Sequence, residues 1–353
     1  IVTFDLAKPA ALAEITKTFQ STAPKYRGVA GLLRKNYFMS EDGRRAGGIY
    51  VWESRADAER MYTPDWTKFV TEKYGTPLYV YHDIVHNTSV VNDMRERGVI
   101  FVEDLNDVPE GGRIIFSAHG IPPTLIDEAR ARQLKYVDAT CPLVTKVHKE
   151  AVKFSSQNID TVLIGHVGHQ ELVGTSGYVH PDLLHIVEDE DDVDDLDIAP
   201  GKTVAYITQT TLSVDETRGI ISKLQKRFPK LVGPPRSDIC YATQNRQDAV
   251  KELAKTCDII VICGSPHSSN SNRLRETGEG QGVESHIVDT AEGLDVSIFK
   301  NKSRVGLSSG ASVPRYLVDT IIEKIQNAYP GTGVQEFPNP EKNIVFPVLQ
   351  FKE

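Results

Sequence analysis

Six short apolar runs recur along the last three-quarters of the chain, at Arg113–Ser117, Thr161–Gly165, Thr203–Thr208, Ile259–Gly264, Ser285–Asp289 and Arg304–Ser308. Amphipathic stretches separate most of them, a pattern that predicts parallel βα units rather than a sandwich or a helical bundle. Nearly every run ends in a polar loop: Ser117-Ala-His119-Gly, Gly165-His-Val-Gly-His169, Thr208-Gln-Thr210-Thr211, Gly264-Ser-Pro-His-Ser268-Ser269-Asn270 and Ser308-Ser-Gly-Ala-Ser312. Ligands of open α/β sheets bind beyond the carboxyl ends of strands, where these loops fall. Hydroxyls, amides and imidazoles dominate them and carboxylates are few, which suits an oxygen-rich anion such as a diphosphate.

Two segments repeat a more specific pattern. Tyr136-Val-Asp-Ala-Thr-Cys141 leads into Pro-Leu-Val-Thr and Ala151-Val-Lys, and Ser237-Asp-Ile-Cys240 leads into Tyr-Ala-Thr243-Gln and Ala249-Val-Lys. Each cysteine follows an aspartate at a strand end and opens a helix. The helix N-terminus is expected to pull the thiol toward thiolate, the form that ligates a metal or cluster. Cys257 and Cys263 lack this setting and read as core residues, with no second ligand pair for a zinc site.

All ten histidines and all four cysteines follow residue 81, which marks a boundary near Tyr74-Gly-Thr-Pro77. Before it, residues 1–80 read as an α+β unit. Strands are expected at Ile1–Leu6, Val29–Met39, Arg45–Glu53 and Leu78–Val85, with helices at Pro9–Thr22 and Ser54–Tyr74, the β-α-β-β-α-β ferredoxin-like order. Ser40-Glu-Asp-Gly-Arg is the hairpin turn. Trp52 and Trp66 read as core or interface residues of this unit.

At 353 residues and 40% hydrophobic, the chain can bury several cores. A net charge of -8 and a pI near 5.7 argue against a nucleic-acid or anionic-membrane partner. No apolar run has the length of a membrane span, and four cysteines in so long a chain point to a reducing cytoplasm rather than a disulfide scaffold. The start at Ile1 reads as a trimmed or incomplete product. The acidic run Glu188–Asp197 lacks the spacing of a calcium loop and reads as a solvated turn.

From about residue 75 onward the chain resembles the LytB family of 4-hydroxy-3-methylbut-2-enyl diphosphate reductases. The resemblance rests on Tyr79-Val-Tyr-His-Asp-Ile-Val-His86, Phe116-Ser-Ala-His119-Gly, Asp138-Ala-Thr-Cys141-Pro, Ile164-Gly-His-Val-Gly-His169-Gln-Glu171, Thr208-Gln-Thr-Thr-Leu-Ser213, Asp238-Ile-Cys240-Tyr-Ala-Thr243, Ser268-Ser-Asn-Ser-Asn-Arg273 and Gly310-Ala-Ser312, all in the family's order. It implies three similar α/β domains about a pseudo-threefold axis: 81–141 completed by 324–353, 142–236 and 237–323. It also implies a [4Fe–4S] cluster held by Cys141 and Cys240 with a third cysteine. His86, His119, His169, Thr211, Thr243, Ser268, Ser269, Asn270 and Ser312 would bind the diphosphate. Glu171 and Thr210 would handle protons at the substrate's hydroxyl. The reaction gives isopentenyl and dimethylallyl diphosphates with electrons from a ferredoxin or flavodoxin, the last step of the methylerythritol phosphate route.

The family's first cysteine lies in a Gly-Phe-Cys-Ala-Gly-Val segment, and this chain has no cysteine before Cys141. An aspartate, a histidine or a partner chain are the open substitutes. In that place stands the 1–80 unit, which resembles a cofactor-free monooxygenase of the dimeric α/β-barrel type through Gly31-Leu-Leu-Arg-Lys-Asn-Tyr, Ala46-Gly-Gly-Ile-Tyr-Val-Trp52 and Ser54-Arg-Ala-Asp-Ala-Glu. This implies a fusion or a mis-joined gene model, and a homodimer through the N-terminal unit. Two rival readings follow: a diphosphate-binding fusion without competent redox chemistry, or an oxygenase activity of residues 1–80. His82, His148, His166 and His267 are balanced between site and structural roles, and His180, His185 and His286 read as surface or structural.

Overall fold

The computed structural model describes residues 2–6, 9–63, 66, 78–337 and 352. Among them the N-terminal unit is a three-stranded antiparallel sheet in the order β1-β3-β2, with β1 (Val2–Asp5), β2 (Leu32–Met39) and β3 (Arg45–Trp52). The hairpin between β2 and β3 turns at Ser40–Arg44, where Gly43 takes the positive φ of +67° that a tight turn needs. The helix Leu12–Thr22 lays Ile15 and Phe19 on this sheet, with Phe19 stacked on Tyr37 at 4.3 Å. Beside them Lys35 lies over the rings of Tyr26, Tyr37 and Tyr50, and burial pushes its amine down to about 7.

One expectation is corrected. The strand expected at Leu78–Val85 was to close the N-terminal sheet as its fourth member. β4 (Leu78–Tyr81) instead pairs in parallel with β5 (Ile100–Val102) on one side and β6 (Arg113–Phe116) on the other. Tyr79 and Val80 are buried, and only a sheet covered on both faces can hide both faces of one strand. The second half of the helix expected at Ser54–Tyr74 lies outside the described residues, as does the Tyr74–Pro77 junction; its first half is the helix Arg55–Met61.

Three all-parallel sheets follow. The first has the order β5-β4-β6-β7, ending at β7 (Lys135–Asp138). Lys352 bridges antiparallel to Tyr136 at its edge, so the C-terminal tail returns to the first sheet. The second is β11-β10-β8-β9, from β8 (Asp160–Ile164), β9 (Leu184–Val187), β10 (Val204–Thr208) and β11 (Leu231–Val232). The third is β13-β12-β14, from β12 (Ile259–Cys263), β13 (Ser285–Val288) and β14 (Val305–Ser309). Every residue of β8 and β12 is buried, the mark of a central strand sandwiched between helices. Cys263 belongs to that core, and burial pushes its thiol up to about 12; Cys257 packs in the cluster on the sheet's other face, with Ile260 and Ile262. β5, β9 and β11 are absent from the sequence reading: at two to four residues each, they are too short to show alternation.

Among the described residues, no helix is long and apolar enough to cross a membrane.

Candidate active site

The polar loops at the carboxyl ends of the three parallel sheets meet in a ring. In the first sheet, β4 and β6 run into loops carrying His86 and His119, whose rings lie 4.0 Å apart. Ala118 N–H donates to Ile84 O at 3.1 Å and ties the two loops together. Gly120 follows His119 at φ +88°, and a Cβ there would meet His148 Cε1 at 2.7 Å. Gly120→Ala is therefore expected to displace His119 and destabilise the fold by about 1–3 kcal/mol, checked by urea denaturation together with pyrophosphate titration.

In the second sheet, β8 ends at the Gly165–His169 loop. His169 caps the helix Gln170–Ser176: its Nδ1 accepts from Glu171 N–H at 3.1 Å. The proton must then sit on Nε2, which is buried without a protein partner and free to donate to an anion. The His169 ring is 5.4 Å from His86 and 6.0 Å from His119. Burial pushes His119 down to about 3 and His169 down to about 4, and lowers His86, with neighbouring imidazoles adding to each shift. Three neutral imidazoles thus face one space. An arriving diphosphate reverses their shifts, so its binding is expected to draw protons onto the protein as pH falls below 7. Calorimetry of pyrophosphate binding in two buffers of different ionisation enthalpy checks this.

The third sheet closes the ring. Ser268 caps the helix Ser269–Gly280, and Asn270 sits in its first turn with both amide atoms buried and unpartnered. Ser269 Oγ lies 3.2 Å from Thr211 Oγ1, joining the third sheet's loops to the second's. Gln209, missed in the sequence reading, strengthens this seam by donating to both hydroxyls and accepting from His166 N–H. Ser312 Oγ donates to His86 O at 3.3 Å, joining the third sheet's loops back to the first's.

Glu171 stands behind this ring, only 3% exposed. Thr210 N–H donates to Oε1 at 2.6 Å and Thr210 Oγ–H to Oε2 at 3.0 Å. Burial nevertheless dominates and, with the charge of Asp238, pushes the carboxyl up to about 7. Glu171 can therefore hold and release a proton at neutral pH.

Cys141 and Cys240 each cap a helix, Pro142–Ser156 and Tyr241–Ala254, as the repeat suggested. Cys141 N–H donates to Ala118 O and Cys240 N–H to Thr210 O, which sets the two cysteines beside the His119 and Glu171 loops respectively. The two thiols are near enough that Cys240 opposes the ionisation of Cys141, and Glu171 adds to that effect. The expectation of a helix-stabilised thiolate is corrected for Cys141. Burial raises its thiol and outweighs the amides of Leu143 and Val144 that point at the sulfur. Thr243, expected against the diphosphate, gives its amide N–H to the Cys240 sulfur at 3.3 Å, with its hydroxyl 3.5 Å away.

The balanced histidines divide. His267 lies close enough to His86 to influence its titration. His166 Nε2 accepts from Arg273 at 2.9 Å. His148 stacks on Tyr178 at 4.2 Å behind Gly120, and His82 pairs with Glu103. His185 and His286 pair with Asp160 and Glu284, away from the ring.

A [4Fe–4S] cluster ordinarily takes thiolate at most of its irons. Cys141 and Cys240 lie near enough to interact electrostatically, whereas Cys257 and Cys263 are held in the third sheet's core. Among the described residues no group of three His, Cys, Asp or Glu side chains is placed to hold a metal. Among the described residues the thiols outside the third sheet's core are therefore two, Cys141 and Cys240.

A family model described as LytB protein matches residues 65–326. A 4-hydroxy-3-methylbut-2-enyl diphosphate reductase of Chromobacterium violaceum is 50% identical over 275 residues, covering 78% of this chain and 88% of that protein. One from Pseudomonas syringae pv. tomato is 48% identical over 278 residues with the same coverage. The structure of the E-1-hydroxy-2-methyl-but-2-enyl-4-diphosphate reductase from Plasmodium falciparum aligns with a TM-score of 0.75 at 37% identity, over 81% of this chain and 90% of that one. A match over most of the chain, at this identity and with the same multi-sheet α/β fold, leaves one assignment: the chain belongs to the LytB family.

Proposed function

We propose that this chain binds (E)-4-hydroxy-3-methylbut-2-enyl diphosphate in the ring of loops and carries the reductase function of its family, the terminal step of the non-mevalonate route to isoprenoids. The observation that supports it most is the gathering of His86, His119 and His169 from two sheets, joined by the third sheet through Ser312, with a protonatable Glu171 two residues beyond His169. The units that build the ring are, on this reading, 81–141 with 324–353, 142–236 and 237–323.

The reduction consumes two electrons and two protons, expels water and leaves a five-carbon alkenyl diphosphate. His119, His169 and Asn270 offer buried polar atoms to the diphosphate, with Ser268, Ser269, Thr211 and Ser312 at the seams between the sheets. Hydrogen bonds to a charged group in so dry a site are the strong kind. Glu171 protonates the departing hydroxyl, since hydroxide leaves poorly and water leaves readily. Thr210 holds the resulting carboxylate with two donors. The second proton goes to either end of the remaining allyl unit, which yields the isopentenyl or the dimethylallyl product. Family members take the electrons through an iron–sulfur cluster, toward which Cys141 and Cys240 offer two thiolates, and a ferredoxin or flavodoxin is the fitting donor.

The two-thiol donor set favours a second reading, a pocket that binds the diphosphate without turning it over. Anaerobic reconstitution with iron and sulfide separates the two. The first reading expects cluster absorbance and consumption of the hydroxylated diphosphate under a low-potential reductant. Tight substrate binding with neither signal would establish the second, and failure to bind the diphosphate at all would sink both.

A further inference from the structure

Lys146 spans the two elements that carry the thiols. It lies five residues beyond Cys141 on the helix Pro142–Ser156, and its ammonium reaches the segment that leads into Cys240. Nζ donates to Arg236 O at 2.8 Å, Ser237 O at 3.1 Å and Asp238 Oδ1 at 2.8 Å. An ammonium has three protons, and all three are used on three consecutive residues. Glu150, one turn further along the same helix, adds a carboxylate oxygen at 3.6 Å.

The segment gripped in this way is also bonded to the strand that serves Glu171. Asp238, whose side chain has no exposure, accepts from Thr208 N–H through Oδ2 at 3.1 Å. Cys240 N–H donates to Thr210 O at 3.0 Å, and Thr210 holds Glu171. Arg236–Cys240 is thus pinned on one side to the end of β10 and on the other to the Cys141 helix through Lys146. Removing Lys146 leaves Cys240 attached to β10 but takes away three hydrogen bonds from the helix that sets Cys141, with the Glu150 carboxyl beside Asp238 as the contact that remains.

We infer that Lys146 is a positioning residue that fixes the separation and facing of the Cys141 and Cys240 thiols. Asp238 is buried, so the loss of Lys146 also takes a partner from its carboxylate and is expected to lower stability. A lysine that served stability alone would leave the placement of the thiols unchanged when removed.

The test uses the full chain without iron, in a Cys257→Ser background under an anaerobic non-thiol reductant. Phenylarsine oxide is the probe: its arsenic bonds two thiols held close together and releases one water. Wild-type protein is expected to take up one equivalent, and Cys240→Ser to lose this capture. Lys146→Met is expected to bind the probe about tenfold more weakly, because bidentate capture depends on how closely the two sites are held. Its thiols should still react with a monofunctional maleimide at the wild-type rate. Lys146→Arg keeps the charge and part of the grip and should fall between the two, so the series can be read even if Lys146→Met folds poorly. Glu150→Gln leaves the three bonds of Lys146 in place and should behave as wild type. Unchanged capture in both Lys146 variants overturns the inference. So does a loss matched by an equal loss of maleimide reactivity, since that reports burial of the thiols rather than their placement.

Discussion

Glu171→Gln is expected to lower kcat by about 10²–10⁴-fold while leaving substrate affinity within a few-fold of wild type. The amide can keep both contacts to Thr210, with its oxygen on the Thr210 N–H and its NH₂ donating to Oγ1, so the pocket retains its shape. What it lacks is a proton to give. The pH dependence separates this from a structural effect. A general acid must be protonated, and Glu171 sits at about 7 because it is buried. The wild-type rate should therefore fall as pH rises through about 7, and the variant should lack that limb. Stability gives a readout that needs no turnover. A carboxyl raised from 4.5 to about 7 contributes folded-state stability that is fully present below about 4.5 and lost as pH rises through 7. Across that window the wild type should lose roughly 3 kcal/mol that Glu171→Gln does not. Thermal melts of both proteins from pH 5 to pH 9 check it, and parallel melting curves would show that Glu171 does not titrate there.

Asn270→Leu is expected to move binding and stability in opposite directions. Both amide atoms of Asn270 are buried without a protein partner, in the first turn of the helix that Ser268 caps. A buried polar group left unpaired costs about 1–3 kcal/mol, so an apolar side chain of similar volume should raise the melting temperature of the ligand-free protein. The same change removes hydrogen bonds to a charged ligand, each contributing about 1.5–3 kcal/mol, so pyrophosphate should bind about 10–150-fold more weakly. Isothermal titration and a thermal melt on one preparation measure both. If stability and affinity fall together, Asn270 is a structural residue and the cradle lies elsewhere.

These two residues also show what the sequence made legible. Asn270 and Glu171 stand just past the ends of strands whose apolar runs could be read directly, and so their place at the carboxyl edge followed. The bracing residues could not be read that way. Lys146, Asp238 and Gln209 act across sequence separations of 92 and 43 residues, which no local pattern encodes. Leu78–Tyr81 failed for a related reason: a short apolar run fits an antiparallel edge or a parallel centre equally well, and only its partners decide. The thiolate expectation at Cys141 weighed the helix end, a local feature, and left out desolvation, a property of the assembled fold.

The seams of the ring are polar: the first and third sheets' loops meet through Ser312 Oγ on His86 O, and the second and third through the Thr211–Ser269 hydroxyl pair with Gln209 and through Arg273 on His166 and Glu216. Each sheet has its own apolar interior, so the polar contacts between the loops carry much of the docking of one unit on the next. A polyanion that touches all three loops would then act as a staple. Its affinity would report the cost of docking the units as well as the contacts made, and protease resistance should rise at the joints between them before it rises within any core.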